Sequence, residues 1–321
     1  MPGARGPVAC FSYLAAASLW HVERFPAPGH GAEVLTRAPS IAADGPMVAA
    51  VLGALGQSSL LLANNIGDDA SGVQVREWLT RYRVATTANV KAGVATPQIV
   101  VVGDDHDTRT IFPYLPGVAG SLARIDFSPL ASAALSYIDC YRFMSVPATR
   151  AIAAARPAGS VLVANLGGDP PSPEVMGALA GHPRLVIQTS IPEPSLDLAH
   201  ATATELQAVT GADWAVVTAG AAGALAAGRA ASLSVPAYRV RVRHTHCAGA
   251  AFSGGLAYGL LHDWPIRETL SLASACGALR CERAHDEPLP SMTELRQLAQ
   301  SGRLYQPGLE VPCPLAAIEK A

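Results

Sequence analysis

Residues His244 to Gly255, His-Thr-His-Cys-Ala-Gly-Ala-Ala-Phe-Ser-Gly-Gly, hold the side chains and the spacing best suited to chemistry in this 321-residue chain. Ala248, Gly249 and Ala250 read as a small-residue turn that runs into an apolar helix over Leu256 to Leu261. The first N–H groups of a helix have no partner within it and lie at the positive end of its dipole. Such a turn is therefore an anion-binding candidate that needs no side chain. No carboxylate stands in this stretch to take a proton.

His244, His246 and Cys247 could instead hold a metal, or supply a relocated base and a thiol nucleophile. On an extended strand His244 and His246 share one face and Cys247 takes the other, so the three converge only where the chain turns sharply. A zinc ion would need a fourth ligand or a water, and the sequence shows no other His/Cys cluster. Asp68 and Asp69 read first as caps of a loop and of the helix after it. Arg109 either faces a ligand or sits in solvent, and His106 in the same turn reads as solvated.

Elements that could position these residues follow from hydrophobic spacing. Val8 to Ser18 reads as a buried first strand. It is too short to span a bilayer, and Ser12 and Tyr13 interrupt the apolar core that a secretory signal would need. Met47, Val48, Val51, Leu52 and Leu55 recur at helical spacing up to a Gly56 stop. Ser59 to Ala63 reads as a strand and Val73 to Tyr82 as an amphipathic helix. Thr96 to Val102 and Thr108 to Tyr114 form a hairpin about the polar turn Gly103 to Asp107. From Leu135 onward short apolar runs alternate with Ala-rich helices, which predicts a mostly parallel sheet covered on both faces.

Half of the residues are hydrophobic and 15% are charged, which supplies a large core and argues against disorder. The net charge is −2, with basic residues scattered, so the basic stripe of a nucleic-acid-binding surface is missing. The six cysteines lack a CxxC pair and read as thiols in a reducing cytoplasm. A cytoplasmic protein with no membrane and no nucleic-acid partner is expected.

The order of these motifs resembles the PfkB carbohydrate kinases. Their signature, Asp-Thr-x-Gly-Ala-Gly-Asp-x-Phe, is matched at Thr245, Ala248, Gly249, Phe252 and Gly254 or Gly255. His244 stands at the first Asp and Cys247 at the first Gly, a pattern that drift from the signature would also leave. Ile66-Gly-Asp-Asp69 with Gly72, Asp107-Thr-Arg-Thr110, Val217-Thr-Ala-Gly-Ala-Ala-Gly-Ala224 and Leu289-Pro-Ser291 match further family motifs in order. The resemblance implies a ribokinase-like three-layer α/β/α fold with a mostly parallel central sheet. It also implies a small β lid from about 13–40 and 96–114, within a single domain over 1–321.

The same resemblance implies site roles. Ala250 stands where the family keeps the Asp that deprotonates the sugar hydroxyl, with anion binding left to the backbone of Ala248, Gly249 and Ala250. Ala42-Ala43 and Met47 replace a Gly-Gly pair and an Asn that contact sugar, and Ala17 or Ser18 an early-strand Asp. These losses predict a more apolar pocket, poor for polyols, with Arg109 as a further substrate contact. Thr218, Gly220 and Gly223 fall on the nucleotide-binding strand and turn. Glu205 is assigned to an Asn-x-x-Glu motif near metal and phosphates, with Thr202 at the Asn. A family segment is missing between Gly211 and Trp214. ATP or another nucleotide, Mg, a sugar, nucleoside or nucleotide ligand and a homodimer are the implied partners. Three functions stay open: a kinase with a substitute base, a silent relative that binds a small ligand, and an enzyme of another class built on His244, His246 and Cys247.

Overall fold

Among the described residues nine strands form the central sheet, in the order 232–235, 224–228, 214–218, 185–190, 161–165, 135–139, 8–11, 59–62 and 85–86. The structure, a computed structural model, describes residues 6–105, 109–156 and 160–304. Its innermost strands are the continuous apolar runs: β1 (Val8–Phe11), β4 (Ser59–Leu62), β10 (Leu135–Asp139), β11 (Val161–Asn165), β12 (Leu185–Ser190) and β13 (Trp214–Thr218). These pair in parallel, and β6 (Ala85–Thr86) extends the parallel edge beyond β4. At the other edge β14 (Ala224–Gly228) and β15 (Ser232–Val235) run antiparallel. Within β1, Val8 and Cys10 enter one core while Ala9 and Phe11 enter the other. A period-two strand buried on both faces has to be apolar throughout.

Helices cover both faces. On the first lie α1 (Asp44–Ala54), α8 (Ala248–Leu261) and α9 (Ile266–Glu282), with α2 (Ala70–Arg81) and α10 (Met292–Gln300) beside them. The second carries α3 (Val118–Leu122), α4 (Ser128–Ala131), α5 (Ser145–Ala155) and α6 (Pro173–Leu179). Alanines of α7 (Ala199–Thr210) pack on β13 and β14. Only residues 211–213 join α7 to β13, so the connection there is as short as the sequence suggests. Asp69 caps α2 through Gly72 N–H at 2.7 Å, and its carboxylate also accepts from the Thr96 hydroxyl at 2.6 Å. Among the described residues no helix is long and apolar enough to cross a membrane.

The N-terminal apolar run serves two sheets rather than forming one strand. After β1 the chain passes Ser12 to Leu14 and enters β2 (Ala15–Val22) of a second sheet, ordered β3-β2-β8-β9. Its other strands are β3 (Thr36–Ala42), β8 (Gln98–Asp104) and β9 (Arg109–Tyr114). β5 (Ile66–Gly67) and β7 (Val90–Lys91) form a separate two-stranded sheet. His106, Asp107 and Thr108 lie outside the described residues, while Arg109 opens β9.

The signature stretch is more helical than it reads. Ala248, Gly249 and Ala250, which read as a turn, already belong to α8, which begins eight residues before Leu256. The small residues are there for packing. A Cβ added to Gly254 would stand 2.6 Å from Val51 of α1, and one on Gly255 would stand 2.8 Å from the Ala273 backbone of α9. Glycine is poor for helix propensity, but here it lets three helices approach closely, and tertiary contact overrides the local preference.

Candidate functional site

Two helix starts lie side by side. His246 Nε2 is 3.0 Å from the Ile41 carbonyl, just before both helices begin. Further along, Gly254 of α8 packs on Val51 of α1. Contacts in the same order along both chains make the helices parallel, with their N-termini level.

At α8 the cap residue Cys247 has φ 61°, ψ 19°, and its side chain makes no capping bond. Ala248 N–H bonds Thr245 and Ala251 N–H bonds Cys247. Among the described residues nothing in the chain accepts from the N–H groups of Gly249 or Ala250. Gly249 is exposed, and a Cβ added to it would meet nothing within 4 Å. The backbone of Ala248, Gly249 and Ala250 is thus an open helix entrance that fits an anion. Ala250 itself is 1% exposed, and its methyl takes no part in proton transfer.

The entrance of α1 is where sequence reading missed a functional group. Asp44, its first residue, keeps part of its surface open although protein surrounds the carboxylate, so it lines a recess. The amide Nδ2 of Asn165 lies 2.8 Å from Asp44 Oδ2 and 2.9 Å from Asp139 Oδ1, bridging two carboxylates. Asp139 also accepts from the Ser12 hydroxyl at 2.5 Å, Gly45 N–H at 3.1 Å and the Tyr137 hydroxyl at 2.8 Å. Asp44 has fewer donors, Tyr141 among them. Burial raises both carboxyls, and Asp44 raises Asp139 further; close like charges resist full ionisation.

Asp44 and Asn165 thus put polar groups beside Ala43, where the sequence predicts an apolar lining. Met47 is 0% exposed and belongs to the core, so it leaves the lining to Asp44 and Tyr141. Tyr13, Tyr141 and Phe143 add a ring cluster, with centroids 5.3–6.3 Å apart. Arg109, on exposed β9, is close enough for its charge to favour the ionised forms of Asp44 and Cys247. Ala17 pairs with Ser40 of β3 and is buried.

Ala43 carries the strain of this entrance. Its φ of 80° and ψ of 162° lie in a region that belongs to glycine, at a cost of about 1–3 kcal/mol. Ala43→Gly is expected to stabilise the fold by about 1 kcal/mol net of the added freedom of the unfolded chain, a Tm rise of about 2 °C by calorimetry.

The His-x-His-Cys side chains do not converge. His244 stacks on His285 with ring centroids 3.8 Å apart, and His246 meets the edge of the same ring at 6.0 Å, so the two imidazoles gather on His285 rather than on Cys247. Burial holds His244 and His246 down at about 3 and pushes the Cys247 thiol up to about 12. Both imidazoles are therefore neutral, and the thiol protonated, near pH 7. Among the described residues no three His, Cys, Asp or Glu side chains are grouped to hold a metal.

The glycine loop after β13 is a second component. Thr218 ends the strand, Gly220 has φ 52° and Gly223 φ 99°. A Cβ on Gly223 would stand 2.3 Å from the Val235 carbonyl, so this turn admits only glycine. Glu205 lies elsewhere, exposed on α7. Glu193 is the acid at this loop: its Oε2 accepts from Ala221 N–H at 3.3 Å. Ser190-Ile-Pro-Glu193 has the Asn-x-x-Glu spacing with Ser at the Asn, and it begins where β12 ends. That carboxyl end of a buried parallel strand, where open α/β sheets bind ligands, was the available signal. Gln188 of β12 accepts from Ser253 of α8 at 2.9 Å and ties the two components together.

A mostly parallel sheet between helix layers, with helix starts and a glycine loop at the strand ends, defines a three-layer α/β protein of the ribokinase-like fold. The sequence matches the pfkB family carbohydrate kinase profile over residues 45–291, well over half of the chain, and the protein belongs to that family. Solved structures share the ribokinase-like fold at low identity. A ribokinase of Arabidopsis thaliana in complex with ribose and ATP has a TM-score of 0.74 at 16% identity, covering 92% of this chain and 99% of that one. A fructokinase of Xylella fastidiosa with bound ATP has 0.70 at 20%, covering 92% and 98%. A nucleoside kinase of Methanocaldococcus jannaschii has 0.69 at 14%, covering 92% and 98%. No curated protein matches the sequence.

Proposed function

We propose that this PfkB-family protein binds a nucleotide together with a sugar, nucleoside or phosphorylated small ligand, and that its phosphotransfer is strongly reduced or lost. The observation that carries this is Ala250, a buried methyl at the position where the family signature has its base. General-base assistance is worth about 10²–10⁴-fold, so its loss slows transfer while leaving the backbone anion site intact. Support for nucleotide binding comes from the open N–H groups of α8, the glycine-only turn at Gly223, and the ATP carried by the ribokinase and fructokinase of similar fold. Glu193 is the carboxylate placed to help a Mg ion at that loop.

Thermal shift with Mg-ATP, combined with turnover assays on ribose, fructose and adenosine, tests the reading. A stabilised protein with turnover at least a hundredfold below that of an active ribokinase is expected; ordinary turnover would refute it. The protonated Cys247 and a His246 whose Nε2 is taken up by the Ile41 carbonyl give the remodelled-enzyme alternative no support.

The second sheet acts in this reading as a lid and a pairing surface. β9 is an edge strand with Ile111, Phe112 and Tyr114 exposed by 49%, 51% and 63%, and Phe25 stacks on Phe112. An apolar exposed edge invites pairing with a second strand. A homodimer through β9 is expected, and Phe112→Glu should convert it to monomer in light scattering after size exclusion.

A further inference from the structure

The recess contains a carboxylate that sequence comparison with the family signature does not supply. Asp44 stands on the first turn of α1, level with the α8 entrance, because Ile41 meets His246 and Val51 meets Gly254. Its carboxylate acts electrostatically on Cys247, the α8 cap, and on Tyr13. Unlike Asp139, whose two oxygens are occupied by Ser12, Gly45, Tyr137 and Asn165, Asp44 is partly open to solvent.

Resting on the reading of this recess as a PfkB-type ligand site, we infer that Asp44 is the proton acceptor for the residual phosphotransfer of the protein. The acceptor alcohol loses its O–H proton to the Asp44 carboxylate. Its oxygen bonds the γ-phosphorus of a nucleoside triphosphate as the bond from that phosphorus to the diphosphate oxygen breaks. The electron pair leaves on the nucleoside diphosphate. The unpaired N–H groups of Gly249 and Ala250 and the Arg109 guanidinium would favour the negative charge of the transferring phosphoryl group, which is how such transfers are stabilised. A base is most useful when its own proton affinity lies near the working pH, and burial moves Asp44 in that direction. The charged or titratable groups facing it are Asp139 from β10, Arg109 from β9, Tyr13, Tyr141 and Cys247.

The test measures nucleoside diphosphate release from Mg-ATP with ribose, fructose and adenosine, for the full chain and for Asp44→Asn, alongside the thermal shift by Mg-ATP. Asp44→Asn is expected to lower the residual turnover at least tenfold, to remove its rise with pH, and to keep the nucleotide shift. Adding Ala250→Asp to Asp44→Asn supplies a second carboxylate and should relieve the loss, which a role of Asp44 in folding or binding alone would not allow. Turnover within twofold of the unaltered protein in Asp44→Asn overturns the inference. So does an unaltered protein that binds Mg-ATP without any turnover, an outcome that leaves the binding function standing. Absence of any Mg-ATP shift would instead refute the proposed function itself.

Discussion

Ala250→Asp is expected to raise phosphotransfer by about 10²–10⁴-fold, the range that a positioned general base contributes. Position 250 lies in the first turn of α8, where a carboxylate also gains from the helix dipole. The cost is a third buried acid near Asp44 and Asp139, so the variant should be less stable above neutral pH than below it. Ala250→Asn adds nearly the same volume without the proton affinity and should show no gain. Steady-state release of nucleoside diphosphate in both variants reads the effect. Equal turnover in the two would show that position 250 does not limit the reaction.

Asp44→Asn is expected to stabilise the folded protein at pH 8 by an amount on the order of 2 kcal/mol, with almost no effect at pH 4. Burial raises Asp44, and burial with Asp44 beside it raises Asp139 from the ordinary carboxylate range to about 7. A folded-state value above the unfolded one means that the folded pair binds protons more tightly. Its contribution to stability is therefore full below the ordinary carboxylate range and is lost as pH rises to about 7. The amide removes the repulsion that exists only above that window, and Asn165 can still donate to its oxygen. Denaturant melts at pH 4, 6 and 8 check this; a gain independent of pH would mean that packing, not charge, is being changed. A stabilised but slower variant is the usual outcome when a functional carboxylate is neutralised.

Much of the fold was legible because buried parallel strands must be apolar on both faces. The apolar runs after Leu135 become parallel strands such as Leu185–Ser190 and Trp214–Thr218, as their hydrophobicity predicts. The start of α8 was not legible. Gly-Ala-rich sequence reads locally as a turn, whereas Val51, Ala273 and Thr269 pack so closely on its glycines that only small residues fit. The N-terminal run misled for a related reason. Hydrophobicity marks Val8 to Ser18 as buried but carries no sign that the chain changes sheet at Ser12.

The site divides along the same line. Sequence alone determined that a small-residue stretch precedes the apolar run at Leu256, that position 250 has no acid, and that Gly220 and Gly223 stand in a glycine-rich stretch, since these are properties of consecutive residues. Only the tertiary structure decided that Asp44, Asp139 and Asn165, far apart along the chain, meet in one recess, that Glu193 rather than Glu205 reaches the glycine loop, and that His244 and His246 both lie against His285. Spacing encodes what a helix or a turn can do by itself. Which side chains share a buried volume depends on strand order and helix packing, and so does the proton affinity of the carboxylates enclosed there.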